Sequence, residues 1–239
     1  MTQTAYITGT DRGLGLGLTQ TLLEQEYRVF AGSYMPEWEE LQVLKKKYDE
    51  RLTILSLDVT DDFSVEKAAA DIHSTTDHLN LLVNNAGTAI DRSGTILDKQ
   101  YYDDIRFMME VNAYGALRVT QSVLELLLKS RPKMLINISS LAGSVGLLVR
   151  TNQYGYTMSK AAINIQSKTI HNHFKDQGLK VRVLHPGWMR SHVFGDIERM
   201  KEAPLEPIDS ARAIVKLIDD DTDVGDEIFV DYTGKAMPW

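Results

Sequence analysis

The chain has 239 residues, no cysteine and a formal net charge of −7 at pH 7. That length suits a single α/β domain over residues 1–239, and the mild acidic charge lacks the basic surface that nucleic acid and anionic membranes require. Without cysteine there is no disulfide framework, no thiolate nucleophile and no cysteine-ligated metal.

The first predicted strand, TAYIT, begins at Thr4. It leaves no room for the charged region and apolar core of a signal peptide, and the sequence contains no apolar run of about 18 residues that would span a membrane. We therefore expect a cytoplasmic protein with neither membrane nor nucleic acid as a partner.

Short β-rich runs alternate with longer helical patterns along the chain. The runs are TAYIT, YRVFAG, LTILSL, LNLLVN, KMLINIS, KVRVLH and EIFV. Such alternation predicts a parallel sheet, and nearly continuous apolar runs indicate strands that are buried on both faces. We predict the α/β class, with a single Rossmann-type doubly wound parallel sheet of about seven strands and helices on both faces.

The loop after the first strand is rich in glycine. It reads ITGTDRGLGLG at residues 7–17, and its spacing matches neither GxGxxG nor a phosphate loop that ends in GK[ST]. A glycine turn ahead of a helix lets the backbone and the free N–H groups approach a pyrophosphate. The same glycines also suit a tight strand-to-helix turn without a ligand, so this motif alone leaves both interpretations open.

The third strand ends in LSLDVTD, which places Asp58 at the edge where open α/β sheets bind ligands. There its carboxylate can accept a hydrogen bond from an adenine amino group. It can equally cap the next helix, a role that Thr60 or Asp61 can also fill.

The fourth strand runs into LLVNNAGTA. We expect the side chains of Asn84 and Asn85 to fix the loop backbone by hydrogen bonds, while Ala86 and Gly87 leave space for a flat or bulky ligand. A plain turn explains the Asn and Gly content, but it does not explain the apolar strand that leads directly into it.

Seven segments occur along the chain in the order of one known family: TGTDRGLG, DV at 58 and 59, NNAG, Asn112 in VNAYG, NISS at 137–140, YTMSK at 156–160 and HPGW at 185–188. On these segments the sequence resembles the short-chain dehydrogenase/reductase family, and within it the C-factor and sniffer-like carbonyl reductases. The resemblance implies an oxidoreductase that transfers hydride between NAD(P)(H) and a small to medium carbonyl or alcohol, as a homodimer or homotetramer. It also implies contacts to the dinucleotide from Gly9, Arg12, Gly13, Leu14, Gly15, Asp58, Val59, Asn85, Ala86 and Gly87.

The segment QYGYTMSKAAIN contains two tyrosines, and the family pattern Tyr-x-x-x-Lys selects Tyr156 with Lys160 and leaves Tyr154 as a bystander. Positions i and i+4 share one helix face, so the Lys160 ammonium can sit near the Tyr156 phenol. Lowering a tyrosine pKa from about 10 to about 7 takes roughly 4 kcal/mol, which the ammonium and an oxidised nicotinamide can supply together. Tyr156 is then the catalytic acid in reduction and the base in oxidation, and both residues also contact the cofactor.

The catalytic serine is less directly assigned, because many family members place it 13 residues before the tyrosine and Gly143 stands there. We assign the role of hydrogen-bonding the substrate carbonyl to Ser140, with Ser144 as the competitor and Ser139 as a structural or cofactor neighbour. Asn112 matches the family position that holds a helical kink and a water linking Lys160 to solvent.

Cofactor choice depends on charge near the adenosine ribose, where an acidic residue at the end of the second strand selects NAD. The sequence has Ser33 and Tyr34 there, and both are expected to contact the cofactor, Ser33 through a hydrogen bond to a 2′-phosphate. Arg12 is the basic residue that family members using NADP often carry. NADP(H) is favoured and NAD(H) remains possible. A solvated surface arginine is the alternative interpretation of Arg12.

After the sixth strand, the family pattern assigns Pro186 and Gly187 to the nicotinamide wall, and Met189 and Ser191 to its carboxamide. The long polar stretch at about residues 188–207 is predicted to be a substrate lid.

Three histidines suggest a metal site, but His171 and His173 face apart on a helix, and we predict no metal. The remaining alternative is a cofactor-binding signalling or regulatory protein of the C-factor type whose role does not depend on turnover. A nucleotide-sugar epimerase shares the Tyr–Lys chemistry but needs a longer substrate domain than this chain provides.

Overall fold

A computed structural model describes residues 2–92, 94–195, 197–220 and 225–239. Its core is one parallel sheet of seven strands in the order β3-β2-β1-β4-β5-β6-β7. The strands are β1 Thr4–Thr8, β2 Arg28–Ser33, β3 Leu52–Ser56, β4 Leu81–Asn84, β5 Met134–Ile138, β6 Lys180–His185 and β7 Phe229–Asp231. The predicted α/β class and doubly wound sheet are confirmed, and each strand lies within the run that predicted it or one residue beyond.

Helices connect the strands. They are α1 Gly13–Glu24, α2 Glu39–Lys47, α3 Asp62–Thr75, α4 Tyr102–Met109, α5 Gly115–Lys129, α6 Tyr154–Phe174 and α7 Pro207–Asp219. A π-helical segment, Glu110–Tyr114, joins α4 to α5, and short 3-10 turns occur at Asp49–Arg51, Leu141–Gly143, Lys175–Gln177 and Ile197–Met200. No helix of the described chain is both long and apolar enough to cross a bilayer.

Apolar side chains on alternate positions of each strand feed two separate cores. In β1, Ile7 packs with α1 and α7 on one face of the sheet, whereas Tyr6 packs with α3 and α5 on the other. Strands that bury both faces must be apolar at nearly every position, which is why the strands were visible in the sequence as continuous apolar runs.

The strand order reverses between β1 and β4, which are neighbours in the sheet although two other strands separate them in the chain. At such a reversal the loops that leave the two strands turn to opposite faces, and a crevice opens between them at the carboxyl edge. The glycine loop after β1 and the NNAG loop after β4 border this crevice.

Candidate active site

A cavity of about 630 Å³ lies at the carboxyl edge of the sheet, and it extends from the glycine loop to Tyr156 and the segment after β6. All of the site residues predicted from the sequence line this cavity except Gly15, Ser33 and Asn112. The structure therefore brings together residues from seven separated segments, and it places those three behind the wall.

The glycines of the first loop are required by close backbone packing. Gly9 has φ +66° and Gly13 has φ +60°, a region that favours glycine. A Cβ on Gly9 would lie 2.8 Å from the Ala86 Cα, and a Cβ on Gly15 would collide with the Gly9 carbonyl oxygen. Gly15 thus lets α1 start tight against the loop, and it shapes the cavity without facing it.

Asn85 ties the loop after β4 to the loop after β1. Its Nδ2 donates to the carbonyl oxygens of Thr8 and Gly9, both at 2.9 Å. The Thr8 hydroxyl in turn accepts from the backbone N–H groups of Asn85 (3.1 Å) and Ala86 (3.0 Å). These bonds fix the two loops relative to each other, as predicted for Asn85.

Asn84 does not share this role, which corrects the expectation for that residue. Its Nδ2 donates to Asn137 Oδ1 at 2.8 Å and to Thr120 Oγ1 at 2.9 Å. Asn137 then donates to the Ser167 hydroxyl at 2.7 Å. Asn84 and Asn137 stand directly opposite each other in the β4–β5 register, so this buried polar chain links the centre of the sheet to α6.

At the end of β3, the structure assigns the helix cap and the place on the cavity wall, both considered for Asp58, to different residues. Asp61 is the N-cap of α3, because its carboxylate accepts from the Phe63 N–H. Asp58 instead accepts from the N–H and the hydroxyl of Thr60, at 2.9 and 2.7 Å, and it lines the cavity.

Tyr156, Ser140 and Lys160 meet at one end of the cavity. Tyr156 and Lys160 lie on the buried face of α6, and the Ser140 side chain is near enough to the Tyr156 phenol to lower its pKa. The Lys160 ammonium donates to the Ile138 carbonyl at 3.0 Å and lies 5.8 Å from the centre of the Tyr156 ring. Tyr154 turns away, and its hydroxyl donates to the Thr151 carbonyl at 3.2 Å.

Burial shifts the pKa values of both residues on α6. It raises the pKa of Tyr156, while the hydrogen bond from Ser140 and the positive charge of Arg150 oppose that rise. It lowers the pKa of Lys160 to about 8. The sequence predicts a fall in the Tyr156 pKa that depends on Lys160 and an oxidised nicotinamide together. In the chain alone the net shift of this pKa is upward, because loss of hydration outweighs the opposing effects of Ser140 and Arg150.

Asn112 lies in the π-helical segment between α4 and α5, so the helical irregularity expected there is present. Its Oδ1 accepts from the Thr88 N–H at 2.7 Å, and its Nδ2 donates to the Thr88 carbonyl at 2.8 Å and to the Ser159 hydroxyl at 2.9 Å. Asn112 therefore holds the loop after β4 against α6 from behind the cavity wall.

Three serines near the end of β5 have different surroundings. Ser139 donates to Asn164 Oδ1 at 2.5 Å. Ser144 is fully buried, donates to the Pro238 carbonyl at 2.7 Å and is not on the cavity wall. Of the three, Ser140 alone combines a place on the wall with an effect on the pKa of Tyr156.

Ser33 does not reach the cavity, although the sequence suggested that it could contact the cofactor. It is fully buried, and its hydroxyl donates to the carboxylate of Asp11. The same carboxylate accepts from the Met35 N–H at 2.9 Å. Asp11 thereby brings an acidic group to the end of β2, where the sequence of the strand shows none.

Arg12 follows Asp11 and lines the same end of the cavity. Its guanidinium lies over the ring of Trp38, 5.1 Å from the ring centre, in a cation–π contact. The neighbouring Tyr34 is 68% exposed and also lines the cavity. Trp38 was not singled out in the sequence, because nothing local marks an aromatic residue in the loop after β2 as a partner of Arg12.

The segment after β6 forms the opposite wall. Gly187 has φ +85°, and a Cβ there would lie 2.6 Å from Leu205. The backbone N–H of Ala89 donates to the Val193 carbonyl at 2.8 Å, which joins this segment to the loop after β4. Residue 196, inside the predicted lid at about residues 188–207, lies outside the described residues.

The three histidines do not form a cluster in the described structure. His171 bonds to Asp226 at 2.9 Å, whereas His173 packs edge-to-face against Phe174 with ring centres 4.3 Å apart. His185 lines the cavity at the end of β6. Among the described residues, no group of three side chains is arranged to hold a metal ion.

The lowered pKa of Lys160 predicts a specific pH dependence of stability. The folded-state pKa of about 8 lies below the ordinary value of 10.5, so between these values the unfolded chain binds more protons than the folded chain. The free energy of unfolding should therefore gain a rising contribution above pH 8, and none below it, where both states are protonated. Urea unfolding at pH 8, 9 and 10 measures this.

The control for this prediction is a comparison with Lys160→Met and with Lys129→Met, which removes an exposed lysine. The parent-minus-Lys160→Met difference in unfolding free energy should rise from pH 8 to 10, whereas the difference for Lys129→Met should stay flat. Above about pH 10 the buried tyrosines Tyr6 and Tyr27, whose pKa burial raises, work in the opposite direction. A flat Lys160 difference would contradict the lowered pKa.

The parallel sheet and the glycine loop at its strand-order reversal define an open, doubly wound α/β protein of the type that binds nucleotides at this edge. A model of the short chain dehydrogenase family matches residues 3–202. The chain belongs to that family of oxidoreductases.

Individual relatives agree with this assignment. An NADPH-bound carbonyl reductase from chicken fatty liver is 30% identical, with a TM-score of 0.85 over 100% of this chain and 99% of the other. The carbonyl reductase Sniffer of D. melanogaster is 28% identical, with a TM-score of 0.88 over 100% of both chains. The C-signal protein of Myxococcus xanthus is 30% identical over 67% of this chain and 93% of its own length.

Proposed function

We propose that this protein is an NADP(H)-preferring reductase of small to medium carbonyl compounds that also catalyses the reverse oxidation of alcohols. The observation that carries the proposal is the grouping of Ser140, Tyr156 and Lys160 on the wall of a cavity that begins at the glycine loop. The carbonyl reductase relatives support the same chemistry.

The cavity wall suits a dinucleotide. Gly13 lines the cavity, and the space where its Cβ would stand has no atom within 4 Å, so backbone N–H groups of the α1 start are open to a pyrophosphate. Asp58 and Val59 would meet the adenine, and Pro186, Gly187, Met189 and Ser191 would meet the nicotinamide. A bound nicotinamide cofactor would supply the hydride in reduction and accept it in oxidation.

The chain's own residues would carry out the proton transfer. Ser140 would donate a hydrogen bond to the substrate carbonyl and hold its oxygen beside Tyr156. The Tyr156 phenol would give its proton to that oxygen during reduction. In the other direction the phenolate would take the proton from the alcohol.

Lys160 and Asn112 would support this transfer from behind. The positive charge of Lys160 favours the phenolate form of Tyr156 at the moment when the proton leaves. Asn112 would position the loop around Thr88 and, with a water, connect Lys160 to solvent. The Gly87 position keeps this region open, since a Cβ there would lie 3.3 Å from Asn112 Oδ1 and 3.5 Å from Lys160 Nζ.

Substrate access would be controlled by the segment at about residues 188–207. Its described residues include Phe194, whose ring centre lies 6.3 Å from that of Tyr156. An aromatic ring at this distance from the proton donor would cover the carbonyl end of a small substrate and exclude water from it.

Cofactor preference would result from two opposed charges at the end of β2. The cation–π contact with Trp38 holds Arg12 on the cavity wall, where a 2′-phosphate would meet its guanidinium. Asp11 carries the opposite charge, but its carboxylate already accepts bonds from Ser33 and the Met35 N–H. We therefore infer a preference for NADPH that is limited in size.

Replacing Arg12 by alanine should weaken NADPH binding about tenfold to a hundredfold, because hydrogen bonds to charged groups contribute about 1.5–3 kcal/mol. NADH binding should hardly change, since NADH lacks the 2′-phosphate. The measurement is the dissociation constant of each cofactor for the parent and the variant at one stated ionic strength.

The matched control is Arg106→Ala, which removes an exposed arginine of α4 that is not on the cavity wall. It should leave both dissociation constants unchanged. Tighter binding of NADH than of NADPH by the parent, or equal loss of both cofactors in Arg12→Ala, would show that Arg12 does not contact the phosphate.

The proposed activity is tested by a panel of aldehydes, ketones and quinones with each cofactor, followed through the absorbance of the reduced nicotinamide. Turnover of at least one class, faster with NADPH, is the expected result. Binding of NADPH without turnover of any member would instead favour the signalling or regulatory alternative, which the similarity to the C-signal protein supports.

A further inference from the structure

The cavity has a second charged side chain close to its catalytic end that the proposed mechanism does not use. Arg150 lines the cavity together with Tyr156, and its positive charge lowers the pKa of that phenol. The other described walls of this end are largely apolar and include Phe107, Leu141, Val193 and Phe194. An arginine on such a wall can serve as an anchor for an anionic group of a substrate.

Arg150 is held in place by an unusual residue. Its guanidinium donates to the side-chain amide oxygen of Gln153, the residue before α6. Gln153 has φ +63°, a left-handed conformation that costs a non-glycine residue about 1–3 kcal/mol and that clusters at functional sites. Gln153 thus directly precedes the helix that carries Tyr156 and accepts the hydrogen bond of Arg150.

Arg150 is exposed, and its bond to Gln153 brings no negative charge to the guanidinium. The amide is neutral, and within the described chain Arg150 forms no ion pair with a carboxylate. The guanidinium has five N–H donors, so one bond to an amide leaves a free edge for a second acceptor.

Acidic side chains are absent from this end of the described wall. The carboxylates that line the described cavity belong to Asp11 and Asp58, which follow β1 and β3 at the end proposed for adenosine. A carboxylate near Tyr156 would therefore meet the positive charge of Arg150, and no described acidic residue of the wall would repel it.

We propose that Arg150 binds a carboxylate of the substrate, so that the preferred substrates carry a carbonyl at one end and a carboxylate at the other. This inference rests on the proposed function, because it takes Tyr156 as the point where the carbonyl is held. The planar guanidinium pairs with a carboxylate through two parallel hydrogen bonds, which also orient the substrate. Arg150 is thus a specificity-determining residue for the same reaction.

The test uses acid and ester pairs of one shape. The probes are 4-carboxybenzaldehyde with its methyl ester and 3-carboxybenzaldehyde with its methyl ester, which place the charge at two distances from the aldehyde. In the parent, kcat/KM of the acid should exceed that of the ester about tenfold or more in at least one pair, a value typical of one charge-assisted bond.

The variants are Arg150→Gln and Arg150→Lys, with Arg106→Gln as the control. Arg150→Gln should reduce the acid-to-ester ratio to about one, and Arg150→Lys should keep part of it, because the charge remains without the planar fork. Arg106→Gln should keep the parent ratio. The acid-to-ester ratio of kcat/KM is the quantity to compare. Any effect of Arg150 on Tyr156 changes kcat/KM of the acid and of the ester equally, so it cancels in the ratio.

A binding measurement separates failure of this inference from failure of the proposed function. Dissociation constants of each acid and ester are measured by calorimetry with NADP⁺ present, where no reduction occurs. If no aldehyde is reduced but the acids still bind tighter through Arg150, the proposed activity fails and the carboxylate site stands. Equal binding of acid and ester in both pairs, or a preference that survives in Arg150→Gln, overturns the inference.

Discussion

Replacing Tyr156 by phenylalanine should reduce kcat for carbonyl reduction by about 10²–10⁴-fold, the range that a positioned general acid contributes. The Tyr156 side chain is buried on the cavity wall near Ser140, so loss of its hydroxyl removes the proton donor with little change of shape. The dissociation constant of NADPH should remain near the parent value. Stopped-flow or steady-state absorbance of the reduced nicotinamide, with a separate binding titration, measures both quantities.

Tyr154→Phe is the matched control for this variant. Its hydroxyl bonds to the Thr151 carbonyl and does not reach the cavity, so kcat should change little. Equal losses in the two variants would contradict the assignment of Tyr156 as the proton donor. So would a Tyr156→Phe enzyme that keeps its parent rate.

Replacing Ser140 by alanine should cost about 2–4 kcal/mol of transition-state stabilisation, which corresponds to about a 30- to 1000-fold loss in kcat/KM. Ser140 has the hydroxyl that contacts Tyr156 from the wall of the cavity. Its hydroxyl also accepts from the Ala142 N–H at 3.1 Å, so thermal unfolding should be recorded with the kinetics.

Ser144→Ala is the control for the serine assignment, because it removes a hydroxyl that is buried beside Pro238 and Leu147. It should lower the free energy of unfolding by about 1–3 kcal/mol, the cost of unpaired buried partners, and leave kcat/KM of the folded enzyme almost intact. A larger kinetic loss for Ser144→Ala than for Ser140→Ala would reverse the assignment.

The sheet was predictable because its strands carry their own signal. The central strands β4 and β5 bury both faces, so the runs LLVN and MLINI are apolar or nearly so at every position. The ends of the strands were predicted less accurately than their positions in the chain. Leu79 and Asn80 precede the observed start of β4, whose register with β1 begins with Leu81 opposite Ala5.

Parts of the site that lie within one motif were also predictable. The i, i+4 spacing put Tyr156 and Lys160 on one buried face of α6. By contrast, the contact between Asp11 and Ser33 joins residues that are 22 positions apart, and neither local sequence indicates the other. The acidic group at the end of β2 was therefore missed, and Ser33 was assigned to the cavity.

The place of Arg150 on the cavity wall was hidden for a similar reason. It stands in an exposed loop of mixed composition, and only the fold brings that loop to the same cavity as Tyr156. The left-handed conformation of Gln153 gives no signal in the sequence, because glutamine is not a residue that usually adopts it.

The opposed amides of Asn84 and Asn137 also bear on how the sheet assembles. They are 53 residues apart in the chain, yet they are the β4–β5 partners that bond to each other in an otherwise apolar layer. A register slip or a wrong neighbour would leave each amide buried without its partner, at a cost of about 1–3 kcal/mol per group. The pair thus favours one alignment of β4 with β5 over its competitors during folding, and that alignment sets the spacing between Asn85 and Ser140.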